Sequence, residues 1–214
     1  MIQQNRTIVK ACVVCHLRKC LVAQTRRWGY NPAKQRCDTC SRAHDHARGK
    51  GEVQVARQGT PAFTGLVLHR DKKWRFKFWY PDGWHRFSLA PGHEGVLYAP
   101  EREDYATSFS VEAKDIGMAT QASDLPDLKE GFLEGLQSLE GLHIEWQDAW
   151  VVGALIGLEA KYTFRAGQAT RKRWVRLLYQ GSRQFHVVAQ GASPEDYDYW
   201  LPMLNEMMMT LQID

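Results

Sequence analysis

Apolar and polar residues alternate with a period of two from Trp74 to Tyr80. Trp74, Phe76, Phe78 and Tyr80 fall on one face and Arg75 and Lys77 on the other, the signature of a half-buried strand. Pro81, Asp82 and Gly83 supply turn chemistry, and residues 84–89 start the next strand. Further strands are expected at residues 95–98 and 107–114. The period then lengthens: Leu125, Leu128, Phe132, Leu136 and Leu139 recur at intervals of three and four, with Ser123 or Asp124 placed to cap a helix. Strand patterning returns at residues 142–150, 154–165, 170–180 and 184–190. In the last of these, Phe185, Val187 and Ala189 alternate with Gln184, His186 and Val188, and Gly181-Ser182 makes a tight turn before it.

The closing segment reads as a helix. Ser193 can cap it, Pro194 suits the first helical position, and Glu195 and Asp196 set negative charge at the positive end of the helix dipole. Its apolar face is Tyr197, Trp200, Leu201, Leu204, Met208 and Leu211. The methionines read as core, and so does the aromatic stripe of residues 74–80, although its basic interleaving has the look of a base-stacking strand. Residues 62–214 are therefore expected to form an α+β domain: an antiparallel sheet packed with two main helices and a capped terminal helix. No stretch approaches the roughly 18 apolar residues of a membrane span, and no secretory leader is evident, so a cytoplasmic location is expected.

Cysteine and charge change the picture at the other end. All five cysteines lie between positions 12 and 40. Cys12/Cys15 and Cys37/Cys40 form two CxxC pairs separated by the 21 residues from His16 to Arg36. Each pair sets two thiolates on one tight turn, and two pairs complete a tetrahedron around zinc with no position open for substrate; a structural zinc ion is expected. Cys20 reads as a spare thiol, the alternatives being that it replaces one of the four or joins His44 or His46 in a second site, and His44-Asp45-His46 reads as a solvated helix end. Residues 41–48 can form a short helix ended by Gly49, an arrangement that resembles the treble-clef zinc-finger group, with a zinc ribbon as the alternative.

Residues 1–60 carry twelve Lys/Arg against three acids, a charge of +9, while the rest of the chain sums to −5. Arg18, Lys19, Arg26, Arg27, Lys34, Arg36, Arg42 and Arg48 are placed to neutralise an anionic partner, with Trp28 and Tyr30 available to stack on bases. Nucleic acid and protein are equally supported as that partner. Residues 49–61, GKGEVQVARQGTP, are rich in glycine and polar groups. The division expected is a zinc-binding module at 1–50, a linker at 51–61 and the α+β domain at 62–214.

The stretch RKRWVRLLYQGSRQFHVVAQGASPEDYDYWLPMLNEMMMTLQI and the upstream FWYPDGWHRFSL resemble the PsbP-like superfamily, which includes the photosystem II extrinsic protein, the Ran-binding protein Mog and bacterial DcrB-like proteins. The resemblance implies an α/β/α sandwich used as a binding or assembly scaffold, generally without catalytic residues, and carries over no site. Many relatives are exported, whereas this chain has its cysteine cluster where a targeting segment would stand.

No GxSxG elbow, P-loop or HExxH is present. His69, His85, His93, His143 and His186 are scattered and read as surface or strand residues, and Glu101, Glu103 and Asp104 as a solvated loop. The leading expectation is a non-enzymatic binding or adaptor protein with neither membrane partner nor small-molecule substrate. Its rival is a zinc-containing nuclease or other metal-dependent hydrolase using His16, His44 or His46.

Overall fold

A computed structural model describes residues 59–214. Its elements run β1 (Leu66–Asp71), β2 (Phe76–Pro81), β3 (His85–Phe87), β4 (Glu94–Ala99), β5 (Ser108–Asp115), a 3-10 turn (Ala122–Asp124), α1 (Leu125–Gln137), β6 (His143–Val152), β7 (Leu155–Ala166), β8 (Ala169–Gln180), β9 (Arg183–Gly191), α2 (Pro194–Met209) and β10 (Gln212–Ile213). Seven strands form one antiparallel sheet in the order β3-β4-β5-β9-β8-β7-β6, and β1-β2-β10 form a second, smaller one.

The central strands of the large sheet are buried on both faces, so most of them read as apolar with interruptions. On one face Phe109, Val111, Trp174, Leu178, Phe185 and Val187 pack against Phe76 and Phe78 of β2 and Tyr197, Leu204, Met207 and Met208 of α2. On the other, Leu158, Tyr162, Phe164, Val175, Leu177 and Tyr179 pack against Leu128, Phe132 and Leu136 of α1. Leu128, Phe132 and Leu136 of the expected stripe are thus the buried face of α1, while Leu125 is half-buried at its start and Leu139 is buried just past its end. Ser193 caps α2 as expected, its hydroxyl accepting from Asp196 N at 3.1 Å. Three methionines of the terminal helix, Met203, Met207 and Met208, are core.

The architecture departs from the sequence reading in three ways, the first being that Trp74 and Arg75, read as the start of a strand, lie in a turn before β2. A second sheet is present, because residues 66–71 form a strand that hairpins with β2. Its connection, Lys72 to Arg75, contains no glycine, proline or asparagine. The left-handed residue is Arg75 at φ 58°, and Asp71 Oδ1 anchors the turn by accepting from Trp74 N at 2.8 Å. With Asp71 alone as a turn former and no glycine, proline or asparagine after it, the turn leaves only a weak mark in the sequence. Among the described residues there are also two helices rather than two plus a terminal one, since the terminal helix is itself the second. No helix of the described residues is long and apolar enough to cross a membrane.

A buried polar knot ties the α2 face together. Glu159, 4% exposed, accepts from Trp150 Nε1 at 3.2 Å and Trp174 Nε1 at 3.1 Å, and pairs with Arg176 Nε at 2.8 Å. Arg176 also donates to the carbonyl of Met208 at 2.6 Å, near the end of α2. Trp150 reaches Glu159 by lying across its cross-strand neighbour Gly157, where a Cβ would fall inside 3.0 Å of three indole carbons. The glycine is there for that close approach.

Candidate functional site

Strand register decides which polar groups meet. On the α1 face of the large sheet, Tyr162, Arg173, Gln190 and Ser108 stand in one cross-strand row, contributed by β7, β8, β9 and β5. The adjacent row is Val175, Val188, Ser110, Leu97 and Phe87, running from β8 to β3. α1 packs on β6 and β7 at one end of this face. Towards β3 the face opens into a cavity of about 330 Å³, lined by Phe87, Leu97, Ser108, Ser110, Arg171 and Arg173 among others, with Leu89 and Tyr105 at its walls.

Arg173 is the centre of the first row and is only 2% exposed. Its guanidinium donates through Nε (3.0 Å) and Nη2 to Gln190 Oε1, approaches Tyr162 Oη through Nη1 at 3.4 Å, and stacks 4.6 Å from the Phe164 ring centroid. Gln190 is held in that orientation because its amide donates to the Ala106 carbonyl at 2.9 Å. These are neutral acceptors. Among the described residues neither Arg171 nor Arg173 has a carboxylate within ion-pair distance.

Arg171 lies two residues earlier on the same face, beyond the end of the β8–β9 ladder at Lys172 and Gly191. Its Nε is buried without a hydrogen-bond partner among the described residues. Burial first, then repulsion from Arg173, pull its pKa below the usual arginine value, and the exposed Asp104 at the rim offsets only part of this. Arginine keeps its proton at neutral pH even so. The cavity therefore holds two positive charges whose desolvation is not repaid by an ion pair within the domain.

The next row contains His186 opposite Glu112, with Ser110 diagonal to it. A serine, a histidine and a carboxylate on one face invite a catalytic reading, which the geometry does not support. Neither His186 nitrogen has a hydrogen-bond partner among the described residues, and Glu112 instead pairs with Nδ1 of His93 at 2.7 Å. Burial pushes the His186 imidazole down to about 4, with Arg173 and Lys114 acting in the same direction and Glu112 against them, so it is neutral at pH 7. The serine–base contact that activates a nucleophile is not made. What converges on the cavity is a set of donors, two guanidiniums and two serine hydroxyls, beside aromatic and aliphatic walls. Phe87 and Tyr105 meet edge to face at 4.5 Å.

The zinc ligands expected from sequence (Cys12, Cys15, Cys37 and Cys40), the basic residues Arg18, Lys19, Arg26, Arg27, Lys34, Arg36, Arg42 and Arg48, and Cys20, His16, His44 and His46 all lie outside the described residues, as does most of the expected linker. Within them, no group of three or more His, Cys, Asp or Glu is placed to hold a metal ion. Glu101, Glu103 and Asp104 are exposed, as their reading as a solvated loop requires. His69 and His186, read from sequence as surface or strand residues, are both buried strand residues. Sequence reasoning missed Arg171, Arg173, Ser108, Ser110 and Gln190. The signal was present in RKRWVRLLYQ, where Arg171 and Arg173 share a period-two face with Val175, Leu177 and Tyr179.

No protein-family model matches the chain, and neither does any curated protein. Solved structures do. The solution structure of cyanobacterial PsbP (CyanoP) from Synechocystis sp. PCC 6803 superposes with a TM-score of 0.54 at 14% identity, covering 75% of this chain and 99% of that one. LpqN of Mycobacterium tuberculosis, described as involved in cell envelope biogenesis, matches at TM-score 0.46 and 12% identity, over 70% of this chain and 84% of its own. The Ran-binding protein Mog1p of Saccharomyces cerevisiae matches at TM-score 0.43 and 12% identity, over 70% and 95%. The described domain has a PsbP-like fold. At these identities the likeness is one of fold.

Proposed function

We propose that this chain is a non-enzymatic binding or adaptor protein of the cytoplasm, in which a zinc-stabilised basic module over residues 1–50 is joined by a linker, 51–61, to a PsbP-like scaffold domain. The observation that carries the non-enzymatic half is the polar cavity of the domain, whose groups are arranged to hold a ligand rather than to activate a nucleophile. The head rests on its donor set. Cys12, Cys15, Cys37 and Cys40 provide four soft thiolates in two chelating pairs, which fits tetrahedral zinc and would let some 50 residues fold without a large core. Its +9 charge supports an anionic partner, nucleic acid or an acidic protein surface.

Metal analysis of the full chain tests this together with binding. The expected result is one tightly held zinc per chain that Cys12→Ser releases, and nucleic-acid affinity that falls steeply with salt and drops in Arg26→Glu/Arg27→Glu. No affinity for DNA or RNA even at low salt makes a protein the partner. A second, readily exchanged metal ion with strand cleavage abolished by His44→Ala would establish the hydrolase alternative instead.

A further inference from the structure

We infer that the cavity between β3–β5 and β8–β9 is a binding site for a small organic carboxylate, its head between Arg171 and Arg173 and its apolar body against Phe87, Leu89, Leu97 and Tyr105. The inference deepens the binding-protein reading of the PsbP-like domain and rests on it.

Charge is the first argument. Taking a guanidinium out of water is costly unless an anion compensates it. Here two are brought onto one sheet face, one 2% exposed, and no carboxylate of the described domain pairs with either. Folding alone gains nothing from this, because an aliphatic residue at position 173 would extend the α1-side core that Val175 and Leu177 already belong to. A ligand supplying the missing negative charge accounts for both residues.

Preorganisation is the second argument. Phe164 stacks beneath Arg173, and Gln190, locked by the Ala106 carbonyl, fixes the plane of its guanidinium. A fork held in this way loses little side-chain entropy when it binds, and planar guanidinium matches planar carboxylate. The Nε of Arg171 is a buried donor with no acceptor among the described residues. Ser108 and Ser110 place further hydroxyls in the same lining.

The ligand class follows from charge and shape. The exposed Asp104 offsets part of the Arg171 charge, which favours a monoanion over a dianion. A phosphate dianion, more strongly hydrated than a carboxylate, has more to lose on entering a half-apolar cavity. About 330 Å³ accommodates a small ring or short chain, and half of the lining is aromatic or aliphatic, as in pockets for small organic ligands.

Calorimetric titration of the full chain with 2-naphthoate, octanoate, naphthyl phosphate and inorganic phosphate tests the site. Saturable binding of a carboxylate is expected, accompanied by a rise in Tm. Arg171→Gln should weaken it by about tenfold or more while the unliganded protein keeps or raises its Tm, since a poorly compensated charge is removed. Leu97→Trp, which fills the cavity from β4, should abolish binding and provides a second route should Arg171→Gln fold poorly. No saturable binding of either carboxylate up to about 10 mM, equal affinity in Arg171→Gln, or preference for the phosphates each overturns the site. Turnover of naphthyl acetate would refute the non-enzymatic reading instead, so the two failures are distinguishable.

Discussion

Glu159 holds the α2 face together, and its removal can be costed from its partners. In Glu159→Ala the indole N–H groups of Trp150 and Trp174 lose their acceptor and Arg176 loses its counter-charge, all at a site 4% exposed. Each stranded buried donor costs about 1–3 kcal/mol, and breaking a buried ion pair by deleting one member costs about 3–5 kcal/mol. These penalties overlap rather than add, because Arg176 keeps its bond to the Met208 carbonyl and its stacking 4.7 Å from the Trp174 ring centroid. The expected loss is about 3–5 kcal/mol, or roughly 6–20 °C in Tm for a domain of this size. Glu159→Gln keeps the shape and one acceptor oxygen, so it should cost less, about 1–3 kcal/mol. Urea unfolding followed by tryptophan fluorescence reads both, since two of the partners are tryptophans. The test is the ordering as well as the size. A loss under about 1 kcal/mol for Glu159→Ala, or a Gln variant no better than Ala, would mean that the network is structurally idle.

Two further outcomes follow from the same face and its opposite. Gly157→Ala places a methyl against the Trp150 indole and should cost about 1–3 kcal/mol, with a change in tryptophan emission because Trp150 must leave Glu159; wild-type stability and spectrum would contradict the close packing. His186, ordinarily near 6.5 and lowered to about 4 in the fold, binds its proton more readily in the unfolded chain, so its contribution is present above about pH 6.5 and is lost as pH falls towards 4. The complete linkage amounts to about 3 kcal/mol at most, and His186→Gln should flatten that part of the stability–pH curve; an unchanged slope would show that the imidazole stays solvated.

What the sequence determined by itself was local. The β8–β9 hairpin could be read because alternation and a Gly-Ser turn coincide there, and α2 because cap, proline and acidic first turn agree at one point. The expectation of zinc at the two CxxC pairs likewise rests on spacing alone. Tertiary structure decided the rest. β1 was hidden by a turn whose left-handed residue is an arginine, and β10 is two residues that become a strand only by pairing with Lys77 and Phe76. The cavity was hidden for a related reason. Alternation shows that Arg171 and Arg173 share a face but not whether that face meets water, and polar residues on a half-buried sheet are ordinarily assigned to solvent. Only register across β7, β8, β9 and β5 brings Tyr162, Arg173, Gln190 and Ser108 into one row, and only burial of both faces turns that row into a charged interior.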